Sequence, residues 1–194
     1  MTCINSIGKG ILNDCTEVLG KGLEQDAYIV DRAFIDYPSC TQTDNIVSAI
    51  ALLTGKQAYK VHTRRVDPFT GAKDSGKQTN FGTSIERSFP LVIEGRNPDN
   101  AKLIDQLRDG KYVIIAEKTP KSTSIATDKA FIVYGWEQGL TFSTSEHDPY
   151  SDDSNGGWVV TMTEKDAPST MIFYASTDYE TSKAALEALL TPAV

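Results

Sequence analysis

The sequence predicts an α+β fold, mainly β: a β-sandwich or curled barrel with one edge-covering helix, a long loop and a C-terminal helix. Three observations predict it. Between Lys111 and Tyr174 the apolar residues recur every second position, as at Tyr112, Ile114 and Ala116, Phe131 and Val133, Trp158, Val160 and Met162, and Met171 and Phe173. Thr141, Ser143, Ser145, Thr161 and Thr163 fall on the alternate positions and predict a hydroxyl-rich second face. Only two stretches carry helix start and stop signals, Asn97 to Gly110 and Asp178 to Leu190.

In chain order, residues 1–25 read as an arm of broken helical or extended structure, because Gly8, Gly10, Gly20 and Gly22 interrupt the apolar spacing of Ile4, Ile7, Ile11, Val18 and Leu19. Ala27 to Asp36 is rich in aromatic and β-branched residues and predicts a strand covered on both faces, ended by Pro38 and Ser39. Asn45 to Leu53 and Lys56 to Val66 flank Thr54-Gly55, which predicts an antiparallel hairpin. Asp67 to Thr83 carries three glycines and little apolar content beyond Phe69 and Phe81, so it reads as a long loop. Ile85 to Glu94 returns as a strand, with Pro90 marking an edge or a bulge.

The first helix has Asn97 as N-cap, Pro98 in its first turn, Leu103, Ile104 and Leu107 as its apolar face and Gly110 as its stop. The strand Lys111 to Lys118 follows directly. Phe131 to Thr144 reads as one strand and Gly157 to Thr163 as another, with a polar loop from His147 to Asn155 between them. Thr177 and Glu180 predict a capping box for the last helix, with Ala184, Leu186, Leu189 and Leu190 as its apolar surface and Pro192 beyond its end. That helix packs on its own core or on a neighbouring subunit.

A chain of 194 residues suits a single domain, 1–194. No apolar run reaches the roughly 18 residues that cross a bilayer, and Met1 to Ile11 lacks the pattern of a secretory signal. A net charge of −7 argues against a surface built to grip a nucleic-acid backbone. Cys3, Cys15 and Cys40 are too widely and unequally spaced to suggest a disulfide framework or a metal knuckle, and read as reduced thiols.

The search for chemistry returns little. His62 and His147 stand in no metal-ligand or catalytic spacing. Asp148, Asp152 and Asp153, with Asn155, have the composition of a hard-cation loop but not its alternating spacing, so a solvated acidic turn is favoured over a metal site. The two GKG triplets lack the frame of a phosphate loop, and no GxSxG elbow is present. The expectation is a protein without catalysis and without a cofactor. What the sequence offers instead is edges, loops and arms from which a ring can be closed and stacked.

The unit NPDNAKLIDQLRDGKYVIIAEK (Asn97 to Lys118), the stretch FIVYGWEQGLTFST (Phe131 to Thr144) and the segment GGWVVTMTEKDAP (Gly156 to Pro168) after an acidic loop resemble virion proteins of tailed bacteriophages, most closely tail tube and neck or tail-ring proteins. The resemblance is one of pattern and order over roughly the last hundred residues. It implies a virion protein assembled in the host cytoplasm as stacked homo-oligomeric rings, hexameric or otherwise multimeric, that contact other tail or neck proteins and pass DNA through the lumen without binding it specifically, with no membrane partner. Under it Asp67 to Thr83 is the stacking loop, Lys129 to Thr144 and Gly157 to Thr163 contribute to an inner barrel, and Met1 to Leu23 reaches a neighbour. The expected inter-subunit contacts are Phe69, Gly71, Gly76, Phe81, Trp136, Leu140, Trp158, Leu186 and Leu190. The alternatives are a neck, connector or decoration protein, a carbohydrate- or ligand-binding β-sandwich using Trp136, Tyr150 and Trp158, and a small hydrolase depending on His62 or His147.

Overall fold

The computed structural model describes residues 21–80, 82–119 and 129–193. Eleven strands and two helices follow in the order β1 (Leu23–Asp31), β2 (Thr41–Thr43), β3 (Ile46–Ala49), β4 (Tyr59–His62), β5 (Lys73–Thr79), β6 (Gly82–Ile93), α1 (Pro98–Arg108), β7 (Tyr112–Lys118), β8 (Phe131–Tyr134), β9 (Thr141–His147), β10 (Trp158–Ala167), β11 (Ile172–Tyr174) and α2 (Tyr179–Ala188). They form a seven-stranded sheet in the order β2-β3-β11-β8-β7-β1-β4 and a four-stranded sheet in the order β5-β6-β10-β9. The mainly β, sandwich-like α+β architecture expected from the sequence is therefore present.

The seven-stranded sheet is the middle layer. Val113 and Ile115 of β7, with Tyr28, Val30, Phe131 and Val133, face a core closed by Tyr179 and Leu186 of α2. Ile114 and Ala116, with Ala27, Ile132 and Tyr134, face a second core closed by Phe89 and Leu91 of β6, Val160 and Met162 of β10, and Ile104 and Leu107 of α1. A strand covered on both faces loses its alternation, which is why β7 is buried without a break from Val113 to Glu117.

Both helices start on side-chain caps, of which only that of α1 is the one the sequence predicts. Asn97 accepts from the Asn100 amide with Pro98 in the first turn, and α1 touches the edge strand β9 while burying Ile104 and Leu107. Leu103, expected on the same buried face, is 43% exposed. In α2 the N-cap is Asp178, which accepts from the Thr181 amide, and not Thr177. Its buried face is Tyr179, Ser182 and Leu186, so Ala184 lies outside it and the helix packs on its own core.

Four expectations are corrected. Ala27 to Asp36 is not one strand, because β1 ends at Asp31, whose side chain accepts from the Ala33 amide and opens a short 3-10 turn, Arg32–Phe34. The segments around Thr54-Gly55 do not form a hairpin: β3 pairs with β2 and β11, and β4 pairs with β1. Gly55 and Lys56 instead exchange backbone hydrogen bonds with Ala193. Asp67 to Thr83 is not one loop, since β5 pairs with β6 from Lys73–Ser88 to Thr79–Gly82. Pro90 is tolerated in β6 because it lies two residues past the end of that pairing, where the β5 side is open.

The fourth correction concerns Phe131 to Thr144, which is two strands in different sheets. Gly135 and Gly139 both have positive φ, +81° and +85°, and between them the chain crosses from β8 to β9. A Cβ on Gly135 would stand 2.4 Å from the Tyr112 carbonyl oxygen, so the crossing needs glycine for space as well as for conformation. The chain returns to the seven-stranded sheet between Ala167 and Ile172.

Candidate functional site

A charged pair sits where apolar side chains are expected. On the inward face of the four-stranded sheet, Arg87 follows Ile85 and precedes Phe89, and Glu164 follows Val160 and Met162 at the same two-residue period. Arg87 and Glu164 are directly opposed across β6 and β10, and both are fully buried. Arg87 Nη1 donates to Glu164 Oε2 at 2.9 Å.

That pair ties down both crossings of the chain. Glu164 accepts from the backbone amides of Gly135 (3.1 Å), Glu137 (3.2 Å) and Gln138 (2.7 Å), holding the outward crossing. Arg87 Nη2 donates to the carbonyls of Ser169, at 2.6 Å, and Thr170, holding the return. Glu137 accepts from the Ser169 amide and so links the two. Asp74 of β5, opposite Arg87 in register, approaches its Nε at 3.7 Å, and Glu137 lies 3.6 Å from Nη1. Burial pushes the Asp74 carboxyl above the usual carboxylate range; the Arg87 charge opposes the shift and the Glu164 charge adds to it. The Tyr134 phenol is raised to about 12, chiefly by burial and then by the Asp74 charge.

The four-stranded sheet that this pair bridges has two edges, β5 and β9. Each is seven residues long. All three pairings are antiparallel, so the two edge strands run in opposite directions. The outward face carries Lys73, Ser75 and Lys77 from β5, Glu86, Ser88, Pro90 and Val92 from β6, Val159, Thr161 and Thr163 from β10, and Thr141, Thr144 and Glu146 from β9. A β-bulge pairs Thr144 with Thr161 but Phe142 with Met162, leaving Ser143 as the extra residue. Beyond it Ser145 is paired with the inward-facing Val160, so the expected run of hydroxyls on one face is shifted at that point.

The expected contact residues divide sharply. Phe69 is buried against Phe89, their rings 4.9 Å apart, Leu140 is buried in the same core, and Leu186 is buried in the other. Trp136 is 3% exposed, packed on Tyr37 with its indole N–H donated to Gln42 Oε1 at 2.7 Å. These four side chains are enclosed in their own subunit and offer no surface to a neighbour or a sugar ring. Leu190 is half-buried on the α2 side, and Trp158 is half-buried beside His147. Gly76 lies on the edge strand β5 and Gly71 in the turn before it, whereas Phe81 lies outside the described residues.

The candidate cation ligands do not converge. Asp148 accepts from the Tyr150 amide, Asp153 pairs with Arg65 at 3.1 Å, and Asp152 is exposed. Among the described residues no three His, Cys, Asp or Glu side chains form a metal-binding group. His62 lies 2.7 Å from Asp26, whose carboxyl is held below the usual range because hydrogen bonds from Lys60 and His62 outweigh the effect of burial. Burial raises the thiol pKa of Cys40, which is half-buried. Cys3 and Cys15 lie outside the described residues, as does most of the expected arm. No described helix is long and apolar enough to cross a membrane.

Comparison with family models, with curated proteins and with solved structures finds no match to this chain.

Proposed function

We propose that this protein is a structural subunit that closes into rings with copies of itself, as a tail tube protein of a tailed bacteriophage does, and acts without catalysis. The observation that carries the reading is the pair of antiparallel-related open edges on one four-stranded sheet. Because β5 and β9 are equal in length and opposite in direction, β9 of one copy laid beside β5 of the next continues the antiparallel alternation. Repeated around a closed ring, the pairing forms one barrel with no free edge, which removes the hazard that exposed edges carry.

The outward face then becomes one wall of the barrel. It mixes Lys73 and Lys77 with Glu86 and Glu146 among hydroxyls, and it lacks the concentrated cationic stripe that holds a phosphate backbone. Such a wall suits passage of DNA without capture. A neck ring is the nearest variant of the same proposal, and differs in what stacks on the ring rather than in how the ring closes.

The test is to place a lysine on each edge, Ser75→Lys with Ser145→Lys, at two exposed positions. Lysines are a usual guard against edge pairing. The double variant is expected to remain a folded monomer under conditions in which the parent forms rings in negative-stain micrographs. Rings of unchanged diameter from the double variant would overturn the β9-to-β5 assignment.

A further inference from the structure

The two open edges of the four-stranded sheet match each other residue by residue. Within one copy they are three strand spacings apart, about 14 Å, so β9 meets β5 only on another copy. Lys73, Ser75 and Lys77 of β5 face outward, and Asp74 and Gly76 face inward. Thr141, Thr144 and Glu146 of β9 face outward, Phe142 and Ser145 face inward, and Ser143 is the extra residue of the bulge. An antiparallel alignment that keeps outward residues together admits few registers. One of them opposes Glu146 to Lys73, Ser145 to Asp74, Thr144 to Ser75 and Thr141 to Lys77, and sets the bulge against Gly76.

Three of these oppositions supply what a single copy leaves unmet. Lys73 and Glu146 are exposed, and among the described residues neither has an ionic partner in its own copy. Opposite charges facing each other across two strands stabilise the pairing. Glu146 also borders a cavity of about 360 Å³ with Asp148 and Asp153, where Arg65 is already engaged by Asp153, so the β9 side carries surplus negative charge. Asp74 Oδ1 is buried without a hydrogen-bond partner, and this register brings the exposed Ser145 hydroxyl opposite it. Gly76 has no positive φ, and a Cβ there would meet its nearest heavy atom, Thr83 Cγ2, at 3.9 Å, so nothing in its own copy requires glycine. Glycine inside a strand suits the close approach of another backbone, which is what a bulge with its extra residue presents.

Pairing of like edges lacks these matches. Two copies of β5 laid antiparallel about Ser75 oppose Lys73 to Lys77 twice, and β9 contains no lysine or arginine to meet the Glu146 of a second β9. We infer that β9 of one copy and β5 of the next pair in the register that opposes Glu146 to Lys73, an inference that rests on the self-assembly proposed above. The contact joins two different surfaces, so it repeats head to tail and does not stop at a dimer. The charge pair selects the register. A slip of two residues in either direction keeps the faces matched but parts Glu146 from Lys73 and the bulge from Gly76.

Charge exchange provides the test. Glu146→Lys and Lys73→Glu each set like charges against one another at the junction, and both positions are exposed, so each variant should fold; circular dichroism melts establish that it does. Light scattering reads the concentration at which the mass rises above 21.2 kDa. That concentration is expected to increase several-fold in each single variant and to return close to the parent's in the double variant, Glu146→Lys with Lys73→Glu. Single variants that assemble like the parent, or a double variant no better than the singles, would overturn the register and leave ring closure standing. A parent whose mass stays at 21.2 kDa at every concentration would overturn both.

Discussion

Arg87 and Glu164, buried face to face at 2.9 Å across β6 and β10, hold in place the two segments by which the chain passes between its sheets. Taking two charges out of water is costly, and the cost is offset here because Glu164 accepts four hydrogen bonds and Arg87 Nη2 donates to two carbonyls. The pair thereby joins the four-stranded sheet to both segments that lead to and from the seven-stranded one.

Removing one partner should therefore be severe. Arg87→Met leaves the buried Glu164 beside two further carboxylates, Asp74 and Glu137, with no cation among them, and is expected to lower the unfolding free energy by about 3–5 kcal/mol. The double variant Arg87→Met with Glu164→Leu should recover part of that loss. Urea unfolding of the two variants checks the order.

Asp74 should behave in the opposite sense. Its folded pKa is raised above 3.8, so the folded state binds its proton more tightly, and the contribution of Asp74 to stability declines as pH rises from the unfolded value through the folded one. Asp74→Asn removes that decline. The difference between variant and parent stability should grow in favour of the variant across that window, and a difference that is flat from pH 3 to 7 would contradict the buried placement of Asp74.

Gly135 admits no side chain. Gly135→Ala demands positive φ from alanine and drives its Cβ into the Tyr112 carbonyl oxygen, so the loss should exceed the roughly 1 kcal/mol seen where only glycine's flexibility is at stake. Thermal denaturation reads it directly.

Asn97→Ala tests the better-understood end of the fold. It removes the side-chain acceptor of the Asn100 amide at the start of α1 and should cost about 1 kcal/mol. The same α1 touches β9, so a larger loss accompanied by weaker ring formation would tie the cap to the edge.

The elements legible in the sequence are those whose signals are local. Asn97 with Pro98 announced α1, Gly110 its end, and the apolar density of Tyr112 to Ala116 announced β7. The hidden elements depend on contacts far apart in sequence. β5 carries few apolar residues because it is an edge whose inward position faces Arg87 with Asp74, so its composition reads as a loop. Phe131 to Thr144 keeps an apolar rhythm through Trp136 and Leu140, and the break at Gly135 and Gly139 is visible only from the positive φ that each adopts. Trp136, Leu140, Phe69 and Leu186 were expected at an interface because size and hydrophobicity do not separate a subunit's core from its contact surface. Arg87 and Glu164 left one usable trace: a charge at an inward-facing position of each of two strands, which in a sandwich calls for a partner.

Negative-stain micrographs of the purified protein, taken alongside light-scattering mass over a range of concentrations, test the central claim most directly. The account predicts rings or tubes with a central channel and a mass that is a multiple of 21.2 kDa. A concentration-independent monomer of 21.2 kDa with no rings would contradict it.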